Sequence, residues 1–307
     1  MDLRQLEYIV AIDEEKSIAK AAKKLYMTQS ALNQQLLKTE RDLGVLLFER
    51  RYHELIPTLA GRLYISSARQ ILNIREDTYR IIRDIASEEV GEISFAYSPE
   101  RGSLTFSSVY PIFHKEYPNF KFKVEEVRVP KAIELLLHHE VNYAMITYSD
   151  HHPLPSELDY IDIGKESMVL SVPKSHPLAE LAGEKSWERL PEIDLQLFRD
   201  DSFILCSNKT SLRKMIDYCL SVHQLTPDVL LESANSYTIL RMVSKGMGVG
   251  FLPESYASEE QSVVFFRPQP VQYWNRCIAF RKGTYITAPE RRLFDLIIDF
   301  HSGKIPQ

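Results

Sequence analysis

The stretch SIAKAAKKLYMTQSALNQQLLKTERDL, residues 17–43, decides the fold of the first part of the chain. Ser17 is a good N-cap for a helix over Ile18–Leu25, because its hydroxyl can accept a backbone N–H that the first turn leaves unpaired. Ala19, Ala21 and Ala22 lie near one side of that helix and let another helix approach closely, while Lys20, Lys23 and Lys24 line the other. After a short Tyr26-Met27 turn, Thr28 can cap a further helix over Gln29–Asp42. Leu32, Leu36 and Leu43 form its inward stripe, flanked by Ala31 and Leu37. Gln29 and Asn33 are four apart, as are Ser30, Gln34 and Lys38, so these residues share an exposed surface. Two short helices joined by a tight turn have the helix-turn-helix layout, whose second helix enters the major groove. Gln and Asn can pair with the adenine edge, and Lys and Ser can reach bases or phosphates. Taken alone, a polar face of this kind is more often simply solvated.

Upstream, Leu3, Leu6, Ile9 and Val10 at 3–4 spacing predict an amphipathic helix over Leu3–Glu14. Downstream, neither Pro nor Gly occurs between Arg62 and Val90. Two apolar seams run through this stretch. One holds Ile65, Ala68, Leu72, Tyr79, Ile82 and Ala86; the other holds Tyr64, Ile71, Ile74, Ile81 and Ile85. A long helix with two apolar faces needs two partners. Burial of that helix inside a monomer is the alternative.

Composition bounds the rest. With 307 residues the chain is long enough for about two domains. Its 44% hydrophobic and 26% charged residues exclude a disordered or collagen-like protein. No 18-residue stretch is free of charge, so no transmembrane helix is expected, and Met1–Gln5 lacks the layout of a signal peptide. Three cysteines without a CxxC argue against a disulfide framework or a cysteine zinc site. These features predict a soluble protein of the reducing cytoplasm. The first ninety residues carry 14 basic and 14 acidic side chains, so the net charge of −5 belongs to the remainder. Any nucleic-acid surface must therefore be local, built from clusters such as Lys20-Lys23-Lys24 and Arg50-Arg51.

From Gly91 onwards strands and helices alternate, which implies parallel βαβ units. Strands are expected at Ile93–Tyr97, Lys121–Val127, Asn142–Thr147, Met168–Val172, Ser202–Cys206, Val229–Glu232 and Gly248–Leu252. Helices are expected at Leu104–Tyr117, Pro130–Glu140, Ser211–His223, Ser236–Lys245 and Arg291–Ser302.

The ordered text Leu3-Arg4-Gln5-Leu6, Ala19-x-Ala21-Ala22-x-x-Leu25, Thr28-Gln29-Ser30-Ala31-Leu32, Gln35-Leu36, Leu43-Gly44-Val45-x-Leu47-Phe48-Glu49-Arg50 and Thr58-x-Ala60-Gly61 resembles the winged helix-turn-helix of LysR-type transcriptional regulators. Later echoes are Tyr117-Pro118, Ser175-His176-Pro177-Leu178-Ala179 and Val243-x-x-Gly246-Met247-Gly248-Val249-Gly250-x-Leu252-Pro253. Asn33, Gln34 and Ser30 depart from the Ser, Arg and Pro common in the family, so no target sequence transfers; Asn142 replaces a usual Asp. The resemblance implies an all-α N-terminal part with a winged helix-turn-helix, a long linker helix, and two α/β subdomains like a periplasmic binding protein. The corresponding divisions are 1–58, 59–89 and 90–307, with subdomain I over 90–162 and 268–307 and subdomain II over 163–267. It makes Thr28, Gln29, Ser30, Asn33, Gln34 and Lys38 DNA-facing, and places Arg50, Arg51, Tyr52 and His53 in the wing. It makes Ile65, Ala68, Leu72, Tyr79 and Ile82 the dimer seam. The implied partners are an operator with two half-sites, a small-molecule effector, a second copy in a homodimer or homotetramer, and RNA polymerase. No membrane and no cofactor is implied.

In open α/β sheets, ligands sit beyond the carboxyl ends of the strands, where helix N-termini offer free N–H groups. The expected lining is Ser98, Arg101, Gly102 and Ser103, then Arg128 and Val129, then Tyr148. The second subdomain is expected to add Ser207, Asn208 and Thr210 with Lys209, and a wall at Ser233–Ser236 that includes Asn235. Hydroxyls and cations at helix N-termini suit a small anion, although Ser103, Ser211 and Ser236 equally fit ordinary caps. Gly246-Met247-Gly248-Val249-Gly250 follows a helix and precedes a strand, the reverse of a dinucleotide fingerprint. His138-His139 and His151-His152 are neighbours that share no helical face, so no metal is expected. No GxSxG, P-loop or HExxH occurs, so no catalysis is expected. A redox-sensing regulator acting through Cys206, and an enzyme or solute-binding protein that shares only the α/β fold, are the rival readings.

Overall fold

Leu6, Ile9 and Ile12 fall on one face of α1 (Leu3–Glu15) and are buried, forming the centre of the N-terminal core. The computed structural model describes residues 2–51, 54–86, 90–149, 153–183, 190–208, 210–257 and 260–305. Next come α2 (Ile18–Lys24) and α3 (Gln29–Leu43), capped by the hydroxyls of Ser17 and Thr28, which accept from the N–H groups of Lys20 and Ala31. Ala21 and Ala22 are buried where α2 meets its neighbours, and Leu32 and Leu36 enter the core from α3. Each fully buried aliphatic side chain of this kind contributes about 1.5–3 kcal/mol. Leu43, expected inward, is 45% exposed, because it ends α3 beyond the reach of α1 and α2.

The wing is a hairpin of β1 (Phe48–Arg51) and β2 (Glu54–Pro57), with Arg50 opposite Leu55. The buried Glu40 carboxylate accepts from the backbone N–H groups of Leu47 (2.8 Å) and Phe48 (3.2 Å), fixing where the wing leaves α3. A side chain at Gly61 would place its Cβ 1.9 Å from the Leu47 carbonyl oxygen. Only glycine lets α4 (Leu59–Ile85) start this close to the wing.

The structure reassigns part of the expected dimer seam. Ile65 and Ala68 are buried by the chain's own N-terminal part, and Ile65 belongs to its core. Arg69 pairs with Asp13 (2.9 Å) and Glu14 (3.3 Å), and Arg75 with Glu7 (2.8 Å), so α1 runs antiparallel along the first part of α4. The 13 residues of α1 cover only that part. Within that part Leu72 is half-buried and Leu59, Leu63 and Ile74 (64%) are exposed; beyond it Tyr79 (56%) and Ile82 (54%) are exposed.

The remaining chain builds one mixed sheet. β3 (Gly91–Tyr97), β4 (Phe120–Glu126) and β5 (Tyr143–Tyr148) are parallel, linked by α5 (Arg101–Glu116) and α6 (Val129–Leu137). β6 (Leu158–Pro173) is a 16-residue strand. It is followed by β7 (Glu192–Ile193), β8 (Ser202–Cys206), α7 (Ser211–Val222), β9 (Asp228–Ser233), α8 (Ser236–Ser244) and β10 (Val249–Pro253). β11 (Val263–Pro268), β12 (Tyr273–Arg281) and α9 (Ala288–His301) complete the chain. β8 is parallel to both β9 and β10, as the alternation predicts. The strand order is β4-β3-β5-β12-β6-β10-β8-β9, with β11 on β6 and β7 on β11.

β6 changes partner along its length: Leu158–Ser167 pairs with β12, and Met168–Pro173 pairs with β10 and β11. The two subdomains are thus joined through one continuous strand and the segment between β11 and β12. Each has its own core, one around Phe113, Tyr143 and Phe294, the other around Leu170, Phe203 and Phe251. Among the described residues, no helix is long and apolar enough to cross a membrane.

Candidate functional site

Two surfaces carry the candidate functional residues. At the start of and along α3, Thr28, Gln29, Ser30, Gln34 and Lys38 are exposed and Asn33 is half-buried; the spacing of Ser30, Gln34 and Lys38 puts those three on the side away from Leu32 and Leu36. The Thr28 hydroxyl caps α3 and lies 3.2 Å from that of Ser30, so Thr28 holds the start of the helix in place. Tyr26 makes the turn with a left-handed backbone (φ +54°) and is 99% exposed. Arg50 is exposed on the wing. The Arg51 side chain, Tyr52 and His53 lie outside the described residues.

Between the two subdomains lies a cavity of about 670 Å³. Ser98, Arg101, Gly102, Arg128, Val129, Tyr148, Thr210 and Asn235 line it. A side chain at Gly102 would come within 2.8 Å of the Tyr97 Cβ, so glycine allows α5 to start against β3. Several of these side chains are already engaged. Asn235 caps α8, accepting from the Thr238 N–H at 2.8 Å, and the Thr210 hydroxyl caps α7. Tyr148 hydrogen-bonds Asp162 at 3.4 Å, and burial, then Tyr160 and Asp162, push its phenol up.

Ser103, Ser207 and Asn208 do not line the cavity. Ser207 donates its N–H to the Ser233 carbonyl, extending the β8–β9 pairing, and its carbonyl accepts from Thr210. Lys209 lies outside the described residues.

The lining also includes residues that the strand-to-helix rule misses. Glu100 precedes α5 with φ +69°, a conformation that favours glycine. Its carboxylate crosses the cleft, accepting from the Ser236 N–H (3.2 Å) at the start of α8 and from the Tyr256 hydroxyl (2.5 Å). The Arg101 guanidinium lies 4.2 Å from the Tyr256 ring centroid. Burial and Glu100 push the Tyr256 phenol up, so it stays a hydrogen-bond donor. Glu166 on β6 accepts from the Ser255 N–H at 3.0 Å and sits 3.9 Å from Arg276 on β12. Trp274, Phe300 and His301 complete this wall. Burial, with Arg276 and Arg101 nearby, lowers His301 to about 4, so its ring is neutral at pH 7. Among the described residues the lining holds four basic side chains, Arg101, Arg128, Lys214 and Arg276, against two carboxylates, Glu100 and Glu166.

Cys206, Cys219 and Cys277 are free and buried. Burial raises all three thiols, Cys219 to about 11 and Cys277 to about 12. The Thr210 hydroxyl lies 3.1 Å from the Cys206 Sγ. Among the described residues, no cluster of three His, Cys, Asp or Glu could hold a metal ion.

The chain thus combines a winged helix-turn-helix with paired α/β subdomains around a cavity. The bacterial regulatory helix-turn-helix family of LysR proteins matches residues 3–62, and the LysR substrate binding domain matches residues 86–301. The chain therefore belongs to the LysR family of transcriptional regulators. It is 26% identical over 259 residues to the uncharacterized HTH-type transcriptional regulator YnfL of Escherichia coli (strain K12), covering 83% of each chain. In fold it is similar to a full-length OxyR variant from Pseudomonas aeruginosa, with TM-score 0.73, 22% identity and coverage of 98% of this chain and 94% of that one. It is also similar to full-length CbnR complexed with its target DNA, with TM-score 0.60, 21% identity and coverage of 97% and 99%. As a member of a regulator family, the protein is not an enzyme.

Proposed function

We propose that this regulator binds operator DNA through α3 and the wing, as a homodimer or homotetramer in the cytoplasm, and responds to a small anionic metabolite held in the cavity between its subdomains. The observation that carries the effector reading is the excess of four basic over two acidic side chains in the lining. In a partly desolvated cleft, a guanidinium can bind a carboxylate through two parallel hydrogen bonds. Binding at one site shifts an equilibrium between subdomain arrangements, and the shift is limited by the ligand's differential affinity for them. The rearranged linker helices then change how two winged domains sit on two half-sites, and through that the contact with RNA polymerase. The exposed apolar residues of the second half of α4, Ile74, Tyr79 and Ile82, supply the dimer contact in this reading.

The redox alternative is disfavoured by the state of Cys206. The thiolate is the reactive form, and a buried thiol with a raised pKa holds little of it at neutral pH.

A thermal-shift screen of mono- and dicarboxylates against the wild type, Arg101→Ala and Ser98→Ala tests the effector reading. At a hundredfold excess over Kd, a true ligand stabilises by about 2.7 kcal/mol, or about 4 °C in a chain of 307 residues. The expected result is such a shift in the wild type and a clearly smaller one in Arg101→Ala. A neutral apolar compound that stabilises all three proteins equally would contradict an anionic effector.

A further inference from the structure

The last helix touches both regions that an effector response has to connect. At its start, the Ala288 N–H donates to Asp84 of α4 at 3.1 Å, and the neighbouring Tyr285 hydroxyl donates to the same carboxylate at 3.1 Å. Two residues further, in the same first turn, Glu290, 1% exposed, pairs with Arg80 of α4 at 2.5 Å. At the other end, Phe300 and His301 line the cavity, and the His301 Nε2 lies 3.4 Å from the hydroxyl of Thr105, itself a lining residue. Between these ends Leu293, Phe294, Leu296 and Ile297 are all buried in the core of the first subdomain. A helix packed this closely does not bend locally without opening voids, so it moves as a body. Its 14 residues span about 20 Å at 1.5 Å per residue.

We propose that α9 is the mechanical link between the cavity and the linker helix α4. A ligand that presses on Phe300 or His301 shifts the helix, and the shift is delivered to Asp84 and Arg80 at its other end. The inference rests on the reading of the cavity as the effector site. Coupling between two sites is reciprocal, so the link can be measured from either end with no ligand present.

The test is hydrogen–deuterium exchange on the full-length wild type, Arg80→Gln, Asp84→Asn and Thr105→Val. Loosening the α4 end by Arg80→Gln or Asp84→Asn is expected to raise exchange at least threefold at residues 101–106 and 296–303, as well as near the substitution. From the cavity end, Thr105→Val is expected to change exchange by a similar factor over residues 73–86. Changes confined to the substituted end in every variant would overturn the link. If Arg80→Gln does not fold, Asp84→Asn and Thr105→Val decide the matter. A failed ligand screen would contradict the effector reading while leaving this exchange result intact. Local-only exchange would contradict the link even where a cavity ligand is found.

Discussion

Glu290→Ala is expected to destabilise the protein by about 3–5 kcal/mol, the cost of breaking a buried ion pair by removing one partner. The carboxylate is 1% exposed and accepts from the Thr287 N–H and hydroxyl, both at 2.8 Å, and from Arg80 at 2.5 Å. Without it, the Arg80 side chain, only 13% exposed, keeps its charge with Asp77 as its remaining ionic partner, and α9 loses its capping box. Glu290→Gln should cost less, since an amide oxygen can still accept the Thr287 hydrogen bonds. Urea denaturation followed by circular dichroism measures both. A Glu290→Ala midpoint equal to wild type would mean that the pair does not hold α4 against the second part of the chain.

Replacing Ile74 and Ile82 together with aspartate is expected to give a folded monomer whose operator affinity falls on the order of 10²–10⁴-fold. That factor is the gain from tethering two winged domains so that the second half-site is bound intramolecularly. The two residues are 64% and 54% exposed, so charge at these positions costs the single chain little, whereas a dimer would have to bury it. The same change at Ile65 or Ala68 should unfold the winged domain, because both are buried within the chain. Light scattering coupled to size exclusion separates the outcomes. A dimer of unchanged affinity carrying both aspartates would place the seam elsewhere.

That contrast shows where the sequence stops being informative. A 3–4 spacing locates an apolar face but does not say which partner covers it. Ile65, Ala68, Tyr79 and Ile82 fall on one periodic seam, yet the length of α1 divides them between an internal core and an exposed surface. The helix-turn-helix was legible because local signals agree: caps at Ser17 and Thr28, small residues in α2, and a leucine stripe in α3. The parallel strands were legible as short apolar runs flanked by turns. The first half of β6 was not, since Asp159, Asp162, Lys165 and Glu166 interrupt its apolar pattern. Missing β6 and β12 also hid Glu166, Trp274 and Arg276, which reach the cavity from strands that run through the junction. Glu100 stood beside the turn residues selected for the cleft, but its role depends on Tyr256 and Ser236, more than 130 residues away in sequence.

The central claim, that the outward face of α3 reads base sequence, is tested most directly by selecting duplexes from a random library with the wild type and with the Gln29→Ala/Asn33→Ala double variant. Each lost paired contact to a base edge removes about 1–3 kcal/mol of discrimination. Wild type is predicted to recover a defined site with two half-sites, and the double variant to lose preference within each half-site while keeping affinity for unrelated DNA. Arg50→Ala serves as the control, lowering affinity for all duplexes alike and flattening the salt dependence. The same site recovered with the same discrimination by wild type and double variant would contradict the account.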